Sequence, residues 1–211
     1  MNILKVKELS IALNGRPIIE NLSFRLESDQ RLFLQGEIGC GKSTLLHCLL
    51  GFVPFQHGEI LLFGTPCKSE VDFSPFRGKI GLCFQNPEDQ LFGPTVLDDV
   101  AFGPLNLGLS QTEAYAAALK AVEALDIAHL KNRPVNLLSG GEKNFTALAG
   151  VLAMNPSALF LDEPTNGLDS KNIEKMTALL IELHLPMLIA SHDQLFTARM
   201  AHQILSLEKH R

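Results

Sequence analysis

The sequence predicts an α/β fold, and three observations lead to it. Short strand-like segments alternate along the chain with segments of helical period, the order expected of a sheet flanked by helices. A glycine-rich turn, Gly36-Glu37-Ile38-Gly39-Cys40-Gly41-Lys42-Ser43, lies between one such strand and one such helix. The chain has 211 residues, 46% hydrophobic and 19% charged, enough for one domain with a sizeable core.

The elements come in a clear order. Residues 2–9 alternate apolar with polar side chains, and 18–26 do the same, so they read as strands joined through the Asn14-Gly15 turn. RLFLQ, over 31–35, is a short buried strand. After the glycine-rich turn, 44–50 reads as an apolar helix closed by Gly51. Residues 59–63 and 79–84 read as further strands, and from about 86 to 155 the pattern turns helical, with an Ala-rich helix over 112–125. Strands return at 158–161, 187–190 and 203–207, with a helix over 170–183 between the first two. The expected organisation is a single domain over 1–211, with a core of about 1–85 and 156–211 interrupted by a helical segment of about 86–155.

Composition narrows the function. The net charge is −5 and no run of Lys or Arg occurs, so nucleic acid is not an expected partner. Cys40, Cys48, Cys67 and Cys83 form no C-x-x-C pair and no His cluster accompanies them, so they read as free thiols in a reducing compartment rather than zinc ligands. The first residues, MNILKVKELS, lack the apolar centre of a signal peptide, and no uncharged apolar stretch reaches the ~18 residues of a membrane span. A cytoplasmic protein that could dock on a membrane protein is expected.

The chemistry is concentrated at a few short stretches. Residues 36–43 fit the pattern of a Gly, four residues, then Gly-Lys-Ser. Such a loop turns backbone N–H groups toward phosphate oxygens, and the helix after it adds the positive end of its dipole. Lys42 suits the β- and γ-phosphates, and the Ser43 hydroxyl suits Mg²⁺. The glycine spacing is not that of a dinucleotide fold. Asp162 and Glu163 directly succeed an apolar strand, at the end that faces the ligand crevice of an α/β sheet. Asp162 is suited to hold Mg²⁺ through water, and Glu163 to accept a proton from an attacking water or orient it. Ser191-His192-Asp193 repeats that design, which makes His192 a candidate for contact with the γ-phosphate or the water. A second anion surface appears at LSGGE. Ser139 and Glu142 form a capping box, while Gly140 and Gly141 leave the first helical turn bare although each costs about 1 kcal/mol in a helix.

The order GEIGCGKST (36–44), Gln85, LSGGE (138–142), LFLDEP (159–164), Gly167-Leu168-Asp169 and SHD (191–193) resembles that of ABC transporter ATPase subunits over nearly the whole chain. The resemblance implies a P-loop NTPase of the ABC ATPase type, with a RecA-like core, an N-terminal antiparallel β-subdomain and an inserted helical subdomain. It implies ATP and Mg²⁺ as cofactors, with Thr44 completing the phosphate loop and Gln85 sensing Mg²⁺ or water. It also explains two anion surfaces in one chain. In that family two ATPase domains meet head to tail, and the Ser139–Glu142 helix of one covers the γ-phosphate held by residues 36–44 of the other, with Asp169 at the seam. The second subunit can be identical or a paralogue.

The stretch FQNPEDQLFGPTVLDDVAFGP, over 84–104, is more closely similar to the ATPases of energy-coupling-factor importers of cobalt, nickel and vitamins. There the segment after the glutamine, here 87–92 with Gln90, lines the groove for a coupling helix. This implies a peripheral subunit on the inner face of the membrane, working with a transmembrane coupling protein and a substrate-binding membrane protein. Three features depart from the family pattern. Leu13 stands where an aromatic residue stacks on adenine, which implies weaker affinity or base selectivity. Asn144 and Phe145 come after Lys143 where basic residues are usual. The chain ends soon after its last strand, which implies a dimer that needs ATP or membrane partners. Two other functions compete with this one. A soluble ABC-type ATPase acting on ribosomes or DNA would show tandem cassettes, long coiled-coil insertions or basic arms, and none is present. A nucleotide-binding module without turnover is disfavoured by the intact Glu163 and His192.

Overall fold

The computed structural model describes residues 2–208. Two sheets and several helices organise these residues, and the apolar pattern of the central strands explains why. β1 (Asn2–Leu13) and β2 (Arg16–Glu27) form an antiparallel hairpin. Their turn residues Asn14 and Gly15 both have positive φ, 51° and 76°, the conformation a two-residue hairpin loop requires. β4 (His57–Leu62) and β5 (Thr65–Cys67) extend this sheet in the order β2-β1-β4-β5. The second sheet is wholly parallel, in the order β6-β7-β8-β3-β9. Its strands are β3 (Arg31–Gln35), β6 (Ile80–Cys83), β7 (Ala158–Asp162), β8 (Met187–Ala190) and β9 (Gln203–Ser206).

The central strands are apolar at nearly every position because both faces of the sheet are covered. Leu32, Leu34, Ala158, Phe160, Leu188 and Ala190 face one core, shared with the antiparallel sheet and with Leu45, Leu46 and Leu49 around α1 (Lys42–Cys48). Phe33, Leu159, Leu161, Met187 and Ile189 face the other. That second core also contains residues of α3 (Val96–Asn106), α4 (Gln111–Ala124), α5 (Gly140–Ala153), α6 (Ser170–Glu182) and α7 (Gln194–Met200). Phe33 meets Phe196 of α7 edge to face, with ring centroids 5.5 Å apart. Helices α3, α4 and α5 all fall between β6 and β7 in the chain, where the sequence expects helical structure.

Three local expectations needed revision. β1 and β2 run several residues beyond 2–9 and 18–26, because the outer face of the ribbon is polar and irregular and hides the strand period. The short β5 and the single-turn helix α2 (Glu70–Phe73) were not expected. Nor was α7, whose cap is Asp193 accepting from the Phe196 N–H at 3.0 Å.

Candidate nucleotide site

Strand register brings the expected residues to one edge. Leu34, Ala190 and Asp162 lie side by side across β3, β8 and β7. Cys83 of β6 pairs with Leu161. Four connections therefore leave from the same carboxyl edge: the glycine loop after β3, Ser191-His192 after β8, Glu163 after β7 and Gln85 after β6. Two adjoining clefts open there. The smaller, about 400 Å³, is lined by Ile18, Ile38, Gly39, Gly41, Lys42, Thr44, Glu163 and His192. The larger, about 700 Å³, is lined by His47, Phe84, the 86–89 turn, Gly140, Lys143, Asn144 and Gly167. Ser43, Gln85, Asp162 and Asn166 line both.

The loop between β3 and α1 turns on its glycines. Gly41 has φ 98°, and a Cβ there would sit 2.6 Å from Ile18 Cγ2, so only glycine fits. The Lys42 ammonium is nearly buried and donates to the carbonyls of Gly36 at 3.0 Å and Glu37 at 3.4 Å. Cys40 is buried beneath the loop as a small packing residue.

Asp162 is 3% exposed, and its Oδ1 is shielded from solvent without a hydrogen-bond partner. Burial pushes its carboxyl above the ordinary aspartate range, with the nearby Glu163 adding to the shift; a hydrogen bond with Ser43 and the charges of His47 and Lys42 pull it back. Among the described residues no cluster of three or more His, Cys, Asp or Glu could hold a metal alone. A hydroxyl beside one unsatisfied carboxylate oxygen fits the needs of a Mg²⁺ ion brought in with phosphate, since Mg²⁺ commonly takes one or two carboxylates plus substrate oxygens.

Glu163 is 7% exposed and has φ 48°, a left-handed conformation unusual for this residue. Its N–H donates to the Ala190 carbonyl at 2.8 Å, and its own carbonyl accepts from the Asn166 N–H at 2.9 Å. Its Oε2 accepts from the His192 N–H at 3.1 Å and lies 2.8 Å from His192 Nδ1. A carboxylate only accepts, so Nδ1 is the donor in that contact and Nε2 is left for a partner of its own.

The capping box expected at Ser139 and Glu142 is present. Ser139 Oγ accepts from the Glu142 N–H at 3.4 Å, and Glu142 accepts from the Ser139 N–H at 2.7 Å. That backbone bond is the chief reason the Glu142 carboxyl is held below its usual range. A Cβ on Gly140 would meet nothing within 4 Å. Of this segment Gly140 lines the larger of the two clefts, and Ser139, Gly141 and Glu142 line neither of them. Asp169 also lies outside both clefts and caps α6 by accepting from the Asn172 N–H at 2.8 Å.

Gln90 is turned inward: its Oε1 accepts from the Phe84 N–H at 3.2 Å and its Nε2 donates to the Ala147 carbonyl at 2.9 Å. His47 and Asn166 are among the cleft residues not expected from the sequence. His47 lies four positions after Ser43 and so shares its helix face, a spacing visible in the sequence. Asn166 lies three positions after Glu163 and closes its turn, which no sequence pattern announced.

A parallel sheet with a glycine loop after one strand, and acidic residues after another at the same edge, defines a P-loop nucleoside triphosphatase. The family model described as ABC transporter matches residues 19–166, and the chain belongs to that family. A Haemophilus influenzae protein, described as an uncharacterised ABC transporter ATP-binding protein, is 63% identical over 206 residues, 98% of this chain and 95% of that one. The cobalt import ATP-binding protein CbiO of Rhodobacter capsulatus is 41% identical over 207 residues, 96% of this chain and 74% of that one. A dimeric ATP-binding cassette, solved in a post-hydrolysis state with ADP and Pi, matches with a TM-score of 0.87 at 25% identity, covering 99% of this chain and 97% of that chain. The protein is thus an ATP-binding and ATP-hydrolysing transporter subunit.

Proposed function

We propose that this subunit powers a membrane importer of a transition metal ion such as cobalt or nickel, or of a vitamin. The observation behind the hydrolytic half is the buried, unpartnered Asp162 Oδ1 beside Ser43, next to the Glu163–His192 pair. Support for the importer half comes from the relative named for cobalt import. Among the described residues no helix is long and apolar enough to cross a membrane, and in this reading other chains supply the path. Phe92 and Phe102 give those chains an apolar landing place. They are 64% and 44% exposed, with rings edge to face at 4.5 Å, on the helical subdomain assigned to about 86–155. An apolar coupling helix of a transmembrane protein, itself joined to a substrate-binding membrane protein, fits there. The subunit then sits peripherally on the inner face of the membrane.

The chain's own groups divide the work. Lys42 and the amides of 36–44 neutralise phosphate charge. Ser43, Asp162 and Gln85 would hold Mg²⁺, which would supply positive charge against the phosphates. Glu163 accepts the proton of the attacking water. His192, fixed by its Nδ1 bond to Glu163, directs Nε2 at the γ-phosphate or that water. Ser139, Gly140, Gly141 and Glu142 of a second ATPase subunit, identical or a paralogue, close the site, with Asp169 at the seam. Loss of the γ-phosphate then opens the pair. The test is uptake of Co²⁺, Ni²⁺ and vitamins by cells carrying native chain or Glu163→Gln. Loss of one uptake in the variant supports the proposal, whereas equal uptake of all of them refutes the importer.

A further inference from the structure

Helix α5 opens with Gly140-Gly141 and then bonds in two directions. On one side the Lys143 ammonium pairs with Glu88, in the single turn Pro87–Asp89 that comes after Gln85. The Lys143 side chain is 17% exposed, whereas that of Glu88 is 63% exposed, so the pair fixes a direction more than it adds stability. One helical turn later the Ala147 carbonyl accepts from Gln90 Nε2, while Gln90 Oε1 holds the Phe84 N–H. Gln85 is therefore bracketed on both sides by contacts that lead to α5. On the other side Asn144 Nδ2 donates to the Asn166 carbonyl at 3.2 Å. The Asn166 N–H in turn donates to the Glu163 carbonyl, closing the turn that holds Glu163 in its left-handed conformation. Asn is a poor helix former, so its place in the second turn of α5 is offset by that outside bond.

We propose that Lys143 and Asn144 are positioning residues that transmit the state of the α5 N-terminus to Gln85 and Glu163 of the same chain. The proposal rests on the reading that Ser139–Glu142 engages nucleotide bound by a second subunit. A helix moves as a rigid rod over two turns. A shift of its first turn on meeting a partner's phosphate therefore moves Glu88 and Asn166 together, and each site senses occupation of the other. Phe145, beside Asn144 in the departure from the family pattern, fixes the rod from beneath: it is buried, with the Lys175 ammonium 5.1 Å above its ring.

The test uses the full chain, with ATPase rates measured against ATP concentration for Lys143→Ala, Asn144→Ala and the charge exchange Glu88→Lys with Lys143→Glu. Each Ala variant should lose about tenfold in kcat with KM changed by less than about twofold, the pattern of a group that acts in the transition state rather than in binding. Its Hill coefficient should fall toward one. The charge exchange should recover most of the rate that either reversal alone removes, which ties the effect to the Glu88–Lys143 pair, while the KM-against-kcat split and the Hill coefficient separate positioning from a merely structural role. Unchanged kcat, a KM that rises in step with the loss of rate, or no recovery in the exchange overturns the proposal. The reading beneath it has its own readout, the size of Glu163→Gln with and without Mg-ATP. No dimer there removes the shared site itself. A dimer there, with both Ala variants hydrolysing like the native chain, removes the coupling alone.

Discussion

Replacing Asp162 by Asn should make the nucleotide-free protein more stable while destroying its activity. Asp162 is 3% exposed, one oxygen has no partner, and burial raises its pKa, so its charged form is unfavourable in the fold. An unsatisfied buried polar group costs about 1–3 kcal/mol, and more when charged. Asn keeps the shape, and its carbonyl can still accept from Ser43. It loses the attraction of Lys42 and His47, and it leaves one polar atom unsatisfied. The net gain expected is about 1 kcal/mol, or roughly 2–4 °C in Tm for a domain of this size. The pH dependence comes from the direction of the shift. A raised folded-state pKa means that the protonated fold is favoured, so native stability from this group is full below the ordinary value of 3.8 and is lost as pH rises through the folded value. The variant has no such loss, so the gap opens with rising pH and closes in acid. Thermal unfolding in EDTA between about pH 4 and 8 measures it. Mg-ATP should reverse the order, since ligand at ~100 times Kd adds about 2.7 kcal/mol to the native protein and much less to the variant. A variant that melts at or below the native protein at neutral pH in EDTA would show that Lys42 and His47 already satisfy the carboxylate, and the reasoning would fail.

Other substitutions read the remaining parts of the site. Glu163→Gln should lower kcat by about 10²–10⁴-fold with ATP binding retained, and His192→Ala by less, because Glu163 keeps its place in the turn; pre-steady-state ATP binding and turnover separate the two effects. Leu13→Phe should lower the KM for ATP, since a base–aromatic stack is worth about 1–3 kcal/mol, and an unchanged KM for ATP and GTP would place the base elsewhere. Cys48 and Cys83 are buried, with thiol pKa values pushed up to about 12, so maleimide at about neutral pH should label neither until the protein is unfolded; rapid labelling of the native protein would contradict that burial.

The parallel strands were legible because they are buried on both faces: RLFLQ, ALFLD and MLIA can be little else. The carboxylates and His192 were legible because each ends such a strand, and register alone then brings them to one edge. The hairpin was found by its turn, but its length was not, since Glu8 and Asn21 take positive φ where the β1–β2 register shifts and break the alternation. α7 was hidden because Asp193, read as part of the Ser191-His192-Asp193 stretch, serves as a helix cap. Gln90 was expected to line a groove and Asn144 was noted only as a departure from the family pattern; their bonds reach Ala147 and Asn166, respectively, and no local pattern encodes such distant partners.

The site also shows why its two acids differ. Both lie at the end of β7 and both are nearly buried, yet of the two only Asp162 has a buried oxygen without a partner. Glu163 turns out of the strand line at φ 48°, a conformation that costs of order 1–3 kcal/mol for a residue with a Cβ. That turn lets its carboxylate reach both the backbone and the ring of His192. Had Glu163 continued the extended strand, its side chain would have pointed to the face opposite Asp162, as successive strand residues do. The strain therefore brings both acids to the same cleft. One carboxylate is left short of a partner and so suits a cation, and the other is held by a histidine and so suits a proton. The bonds from Ala190 and Asn166 hold the turn, and the second of these is the one that Asn144 reaches from α5.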